Sequence, residues 1–167
     1  MNKVLSTSTF HHIQDKELAF QNVFHLLKPN GEAAFYFYLD NSFHQSVLAM
    51  LKVPMFKEKF NGLFDTNKFP AERRSLYYKE MLERIGFHNV RTMEEMRSMP
   101  YVSDKHCLDD MFDSYKPYFE VPSESVDEFK RESFKIYENV AGRYKGRPDY
   151  KMLSLSLTGV KPSTNQE

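Results

Sequence analysis

Leu5-Ser6-Thr7-Ser8-Thr9-Phe10-His11-His12-Ile13-Gln14-Asp15 is the first stretch that fixes the fold, and Lys28-Pro29-Asn30-Gly31-Glu32-Ala33-Ala34-Phe35-Tyr36-Phe37-Tyr38-Leu39 completes it. Residues 3–9 are short and partly β-branched, as a strand requires. Asp15 stands where a helix N-cap belongs, because a carboxylate can accept the N–H groups that a first helical turn leaves unpaired. Residues 15–28 follow helical spacing: Leu18, Val23, Leu26 and Leu27 fall largely on one face, with Phe20 and Phe24 one turn apart. Lys28-Pro29-Asn30-Gly31 then stops the helix. Lys suits the C-terminal dipole, Pro cannot continue, and Asn-Gly turns the chain. Residues 32–39 are nearly continuously apolar, which predicts a strand buried on both faces, as in a parallel sheet. Strand, helix, turn and strand together make a βαβ unit.

Outward from that unit, residues 41–64 predict a mostly helical insertion interrupted at Pro54, with Met50, Leu51, Val53, Met55, Phe56, Phe60, Leu63 and Phe64 on its greasy side. A helix over 72–85 closes at Gly86 and leads to a strand over 87–92. Two further helices cover 104–115 and 123–144, a last strand covers 150–160, and 161–167 is a polar tail. No internal repeat or low-complexity linker divides the chain. The expectation is one structural unit of α/β class.

Composition narrows the function classes. The chain has 167 residues, with 23 basic and 23 acidic side chains, so no broad cationic surface for nucleic acid is expected. A single cysteine, Cys107, excludes an intramolecular disulfide and suits a reducing compartment. No apolar run is long enough for a membrane span, and the first residues carry no secretory pattern, so a soluble cytoplasmic chain is expected. Fifteen Phe, ten Tyr and nine Met supply more large apolar surface than a small core needs. That surface packs a Phe-rich core or lines a lipophilic pocket.

The common catalytic signatures are absent: no Gly-rich loop after a strand, no Walker sequence, no Cys-x-x-Cys pair, no Gly-x-Ser-x-Gly elbow and no His-Glu-x-x-His helix. His11 and His12 are adjacent, while His25, His44, His88 and His106 lack ligand spacing, so no metal is expected.

The stretch Phe10-His11-His12-Ile13-Gln14-Asp15, followed by Leu26-Leu27-Lys28-Pro29-Asn30-Gly31, resembles the middle of class I S-adenosylmethionine-dependent methyltransferases. In that family a His-His or His-Trp element follows strand four, and a Leu-Lys-Pro-Gly-Gly turn leads to strand five. Here one Gly of the turn is Asn. Met81-Leu82-Glu83-Arg84-Ile85-Gly86-Phe87-His88-Asn89-Val90 is similar to the helix entering strand six, and residues 152–162 are similar to strand seven. Within the family, the aromatic insertion and Phe-His-His-Ile-Gln-Asp look closest to the juvenile hormone acid methyltransferase-like group.

The resemblance implies a partial Rossmann-like class I methyltransferase sheet, strands four to seven with the last antiparallel, with flanking helices and a helical insertion. Residues 1–160 would be the C-terminal portion of the domain, and the Gly-rich turn after strand one has no counterpart in this sequence. A truncated gene model, a splice product or a degenerate copy would each give such a chain. Strand four would then be an exposed edge and a route to self-association.

The family order puts the ligand beyond the carboxyl ends of the strands. Ser8, Thr9 and Phe10 are therefore the expected cofactor contacts, with S-adenosylmethionine as the cofactor by resemblance. His11, His12, Met50, Phe56 and Phe60 are the expected acceptor contacts, with no catalytic residue assigned. His12 takes the place of a Trp that donates to the acceptor carboxylate in the hormone-acid group. The small-molecule reading is O-methylation of a lipophilic carboxylic acid by an enzyme incomplete alone, so no independent cofactor binding is expected. The alternative is a non-catalytic fragment or interaction module.

Overall fold

The computed structural model describes residues 1–163, and the end of the expected tail, 164–167, lies outside them. The elements run β1 (Lys3–Thr7), α1 (Lys16–Leu26), β2 (Glu32–Asn41), α2 (Ser42–Met50), α3 (Pro54–Lys57), α4 (Ser75–Ile85), β3 (His88–Ser98), α5 (Asp104–Tyr115), α6 (Val126–Ala141), β4 (Arg143–Tyr144), β5 (Arg147–Pro148) and β6 (Lys151–Val160). Four strands form one sheet in the order β1-β2-β6-β3, and β4 and β5 pair separately. β1 and β2 are parallel, with Lys3 opposite Glu32 and Thr7 opposite Tyr36. β6 runs antiparallel to β2: Lys161, past its end, exchanges backbone hydrogen bonds with Gly31 and Asn30, before the start of β2, at 2.8 and 2.9 Å. The α/β class and the mixed sheet are as expected.

Contacts divide the chain into two compact units where the sequence predicts one. The first comprises Met1–Leu39, Lys68–Met96 and the segment from Leu153 onward; the second comprises Asp40–Asn67 and Arg97–Met152.

In the first unit, Asp15 caps α1 as expected, its carboxylate accepting from the Leu18 N–H at 2.9 Å. Asn30 takes the left-handed position of the following turn, with φ 63°, a conformation Asn tolerates better than most residues. Gly31 is required by space: a Cβ there would lie 2.8 Å from the Lys28 carbonyl oxygen and 3.1 Å from that of Met1. Ala33, Phe35, Phe37 and Leu39 point to one face of β2 and are buried against Phe20 of α1, Tyr78, Met81 and Leu82 of α4, and Leu155 and Leu157 of β6. Each large side chain so buried contributes roughly 1.5–3 kcal/mol before entropy is counted.

Ala34, Tyr36 and Tyr38 on the opposite face are only half-buried. β2 therefore alternates and is not covered on both faces, because α1 and α4 pack on one side of the sheet. On the uncovered side Lys3, Leu5, Ala34, Arg91, Thr158 and Val160 line a shallow groove of about 610 Å³. β1 is an edge strand, and Leu5 on it is 74% exposed.

α4 starts at Ser75 and not at 72, and β3 runs on to Ser98 where 92 was expected. The two differences are linked. The Glu94 carboxylate, on the extended part of β3, accepts the Ser75 N–H at 2.8 Å and serves as the cap that α4's own sequence lacks.

The second unit has its own aromatic core of Met50, Phe56, Tyr115, Phe119, Phe129 and Tyr137, with Val47, Cys107, Met111 and Ala141. Asn41 caps α2 by accepting from the His44 N–H at 2.8 Å, and Asp40 accepts from the Asn41 N–H and the Gln45 amide. Pro54 opens α3 in place of interrupting one long helix, since a first-turn position has no hydrogen bond to lose. The helix expected over 123–144 is α6, preceded by a short 3-10 turn and ended at Gly142; residues 143–148 form the β4–β5 hairpin.

Candidate functional site

The chain leaves β1 through a strained turn. Ser8 has φ 54°, a left-handed conformation uncommon for residues other than glycine, and costs of order 1 kcal/mol or more. The Ser8 N–H donates to the Tyr36 carbonyl at 2.8 Å, and the Thr9 hydroxyl donates to the Thr7 carbonyl at 3.0 Å. These bonds anchor the turn to β1 and β2. A single 3-10 turn, Phe10–His12, follows, with His11 buried and His12 exposed.

Of the expected cofactor contacts, Ser8 and Thr9 expose hydroxyl side chains at the carboxyl end of β1. Phe10 has a different task. It is 4% exposed, stacked on Phe20 at 4.6 Å and edge-on to Phe35 at 4.8 Å, so its ring is core packing and not ligand surface. Phe10 is apolar and adjoins a buried face of β2, so the core claims it.

Of the expected acceptor contacts, His11 and His12 lie together with ring centroids 4.1 Å apart, and the His11 ring is also tilted against that of Tyr38 at 4.6 Å. Met50 and Phe56 are fully buried in the second unit's core, and Phe60 packs against that core with its ring 5.7 Å from Phe119. Their surface is spent on each other and their neighbours, so they are packing residues in place of the expected lipophilic wall.

A small cavity with no sequence signature lies at this end of the first unit. Its walls are His11, Lys16 from the start of α1, Tyr38 and Leu39 from β2, Lys68, Phe69, Pro70 and Arg73 from the segment before α4, and Tyr78 from α4. Burial is the main reason the His11 imidazole is lowered to about 4, with the charges of His12, Lys68 and Lys16 acting in the same direction. His11 is therefore neutral near pH 7. Lys16 is also lowered, by burial first and then by Arg73 and Lys68. Its ammonium donates to the Ile13 carbonyl at 2.7 Å. Burial raises the Tyr78 phenol to about 12. Lys68 and Arg73 carry no motif, and a sequence signal for them would have required knowing that the segment before α4 returns to β2.

Among the described residues no group of three or more His, Cys, Asp or Glu is arranged to hold a metal, and no helix is long and apolar enough to cross a membrane.

No protein-family model matches the sequence, and no curated protein matches it. Solved structures do match. A candidate methyltransferase of Bacillus halodurans superposes with TM-score 0.53 and 13% identity, over 97% of this chain and 70% of that one. The YcgJ protein of Bacillus subtilis gives TM-score 0.53 and 11% identity, over 98% of this chain and 64% of that one. Phosphoethanolamine N-methyltransferase 2 of Haemonchus contortus, solved with phosphomonomethylethanolamine and S-adenosylhomocysteine, matches at TM-score 0.44 and 14% identity, over 98% of this chain. The chain spans 34% of the Haemonchus enzyme's length. The two Bacillus likenesses show the fold, which is methyltransferase-like.

Proposed function

We propose that the chain supplies the acceptor side and part of the cofactor contact of an S-adenosylmethionine-dependent methyl-transfer site acting on a small molecule. The observation that carries this reading is the turn from Ser8 to His12, polar and strained, at the carboxyl end of a parallel strand pair in a methyltransferase-like sheet. Ligands of doubly wound folds sit at that end. The cofactor, when bound, supplies a sulfonium whose methyl group passes to an acceptor lone pair by in-line displacement. This chain's part is positioning: the Ser8 and Thr9 hydroxyls suit contacts to the cofactor, while His11 and His12 face the acceptor. The ring of Phe10 does not fit a ligand contact and holds the turn from below.

The finer reading is O-methylation of a lipophilic carboxylic acid in the cytoplasm, following the resemblance to the juvenile hormone acid methyltransferase-like group. The unpaired backbone edge of β1, with Leu5 exposed on it, favours association through that edge with a second copy.

Ultraviolet labelling with S-adenosylmethionine carrying a tritiated methyl group tests the site. At millimolar S-adenosylmethionine, label on the peptide containing Ser8–His12, with protection by S-adenosylhomocysteine, is the expected result, and it would replace the expectation of no independent cofactor binding with weak binding through this turn. Label spread along the chain without protection overturns the reading.

A further inference from the structure

Lys16, Lys68 and Arg73 converge on the cavity beside His11, and no carboxylate lines it. Among the described residues no carboxylate pairs with Lys68 or Arg73. Lys68 lies over the ring of Phe69, which lines the cavity, and Arg73 lies over that of Tyr77, beside it, each at 5.5 Å. Cations gathered without a counter-charge repel one another, and that repulsion is relieved by an anion.

His11 supplies an independent observation. It is 8% exposed, and its Nδ1 is shut away from solvent with no hydrogen-bond partner. Buried polar atoms are almost always met by a partner, so an orphaned one points to a missing ligand atom or water. The enclosed space is about 10 Å³, room for one oxygen-sized atom. A water would satisfy Nδ1 and leave Lys68 without a counter-charge, whereas Lys16 and Arg73 share a neighbouring pocket wall with Asp15 and Glu17. The oxygen of an anion satisfies both Nδ1 and Lys68.

We propose that this cavity is an oxyanion-binding site. One oxygen of a carboxylate or phosphate group enters against His11 Nδ1, which carries the proton as donor, and the rest of the group stays outside between the Lys68 and Arg73 side chains. Lys16 contributes charge from the side, because its ammonium is already donating to Ile13. Naming the anion as part of the methyl acceptor rests on the proposed function; binding of the anion does not.

His11 is the reporter. A bound anion favours the protonated imidazole, so it reverses the depression caused by burial and the neighbouring cations. The experiment follows the His11 ring by NMR through a pH titration of the 167-residue chain, with inorganic phosphate in one arm and trifluoroacetate, a carboxylate that stays ionised through the titration, in the other. Sodium chloride at equal ionic strength is the control. The expected result is a saturable rise of the His11 pKa by about one unit or more with at least one of the two anions, and the effective anion identifies the headgroup.

Lys68→Ala and Arg73→Ala alter exposed side chains and should each weaken the anion's apparent affinity by about fivefold or more. A pKa that neither anion moves beyond the chloride control overturns the site, as does a shift unchanged in both variants. Anion binding together with failed S-adenosylmethionine labelling would sink the methyl-transfer reading and leave this site standing. Protected labelling without anion binding would do the reverse.

Discussion

Replacing Phe10 separates the two tasks that its position suggests. The ring is almost fully buried, stacked on Phe20 at 4.6 Å and edge-on to Phe35 at 4.8 Å. Phe10→Ala removes the buried ring and leaves a cavity between the 3-10 turn and β2, which costs about 3–5 kcal/mol. The two ring pairs, each worth about 0.5–1.5 kcal/mol, are already contained in that figure. Such a loss is a large part of a domain's total of about 5–15 kcal/mol. Phe10→Leu keeps much of the volume and loses the ring geometry, for about 1–2 kcal/mol. The chain has no Trp, so urea unfolding is followed by circular dichroism. With a urea slope near 2 kcal/mol/M, the Leu variant moves the midpoint down by about 0.5–1 M, and the Ala variant moves it by about 1.5–2.5 M or unfolds the protein outright. Losses below about 1 kcal/mol in Phe10→Ala, with an unchanged slope, would refute the packing role.

Other perturbations follow from the same contacts. His11 is held neutral in the native state down to about pH 4, whereas an unfolded His takes its proton near 6.5. Its contribution to stability is therefore complete above 6.5 and lost as pH falls from 6.5 toward 4; His11→Gln should flatten the urea midpoint against pH across that window. Gly159→Ala puts a Cβ 3.0 Å from Cδ1 of the buried Phe87 ring and 3.1 Å from its Cβ, so overpacking should lower stability by about 1–3 kcal/mol, read as a fall in Tm. Burial, then Asp110 and Asp104, pushes the Cys107 thiol up to about 12. A maleimide should react slowly with the native chain and rapidly in urea.

The βαβ unit was legible because its signals are local. Asp15 caps, Lys28 to Gly31 turn, and the apolar run of β2 needs no partner to be recognised. What sequence missed is set by distant contacts. Nothing near Ser75 announces that Glu94 will cap α4, and the polar second half of β3 becomes a strand through neighbours rather than composition. The two-faced burial expected of β2 fails because alternation there depends on which side the helices pack. Apolar residues mark the same division at the site: Phe10, Met50 and Phe56 stand in the sequence as candidate ligand contacts, and packing against other aromatics claims them for the core. His11 was legible as a motif residue, whereas Lys68 and Arg73 join it only through the path of the chain before α4.

The central claim is that the turn from Ser8 to His12 meets the methyl-donor cofactor. Titration of S-adenosylhomocysteine into the isotope-labelled 167-residue chain, followed by backbone amide NMR, tests it most directly. The account predicts shifts concentrated at Ser8, Thr9, Phe10, His11 and His12, with a midpoint weaker than micromolar because no Gly-rich turn contributes. A turn that stays unperturbed through the millimolar range, or shifts centred elsewhere on the chain, would contradict it.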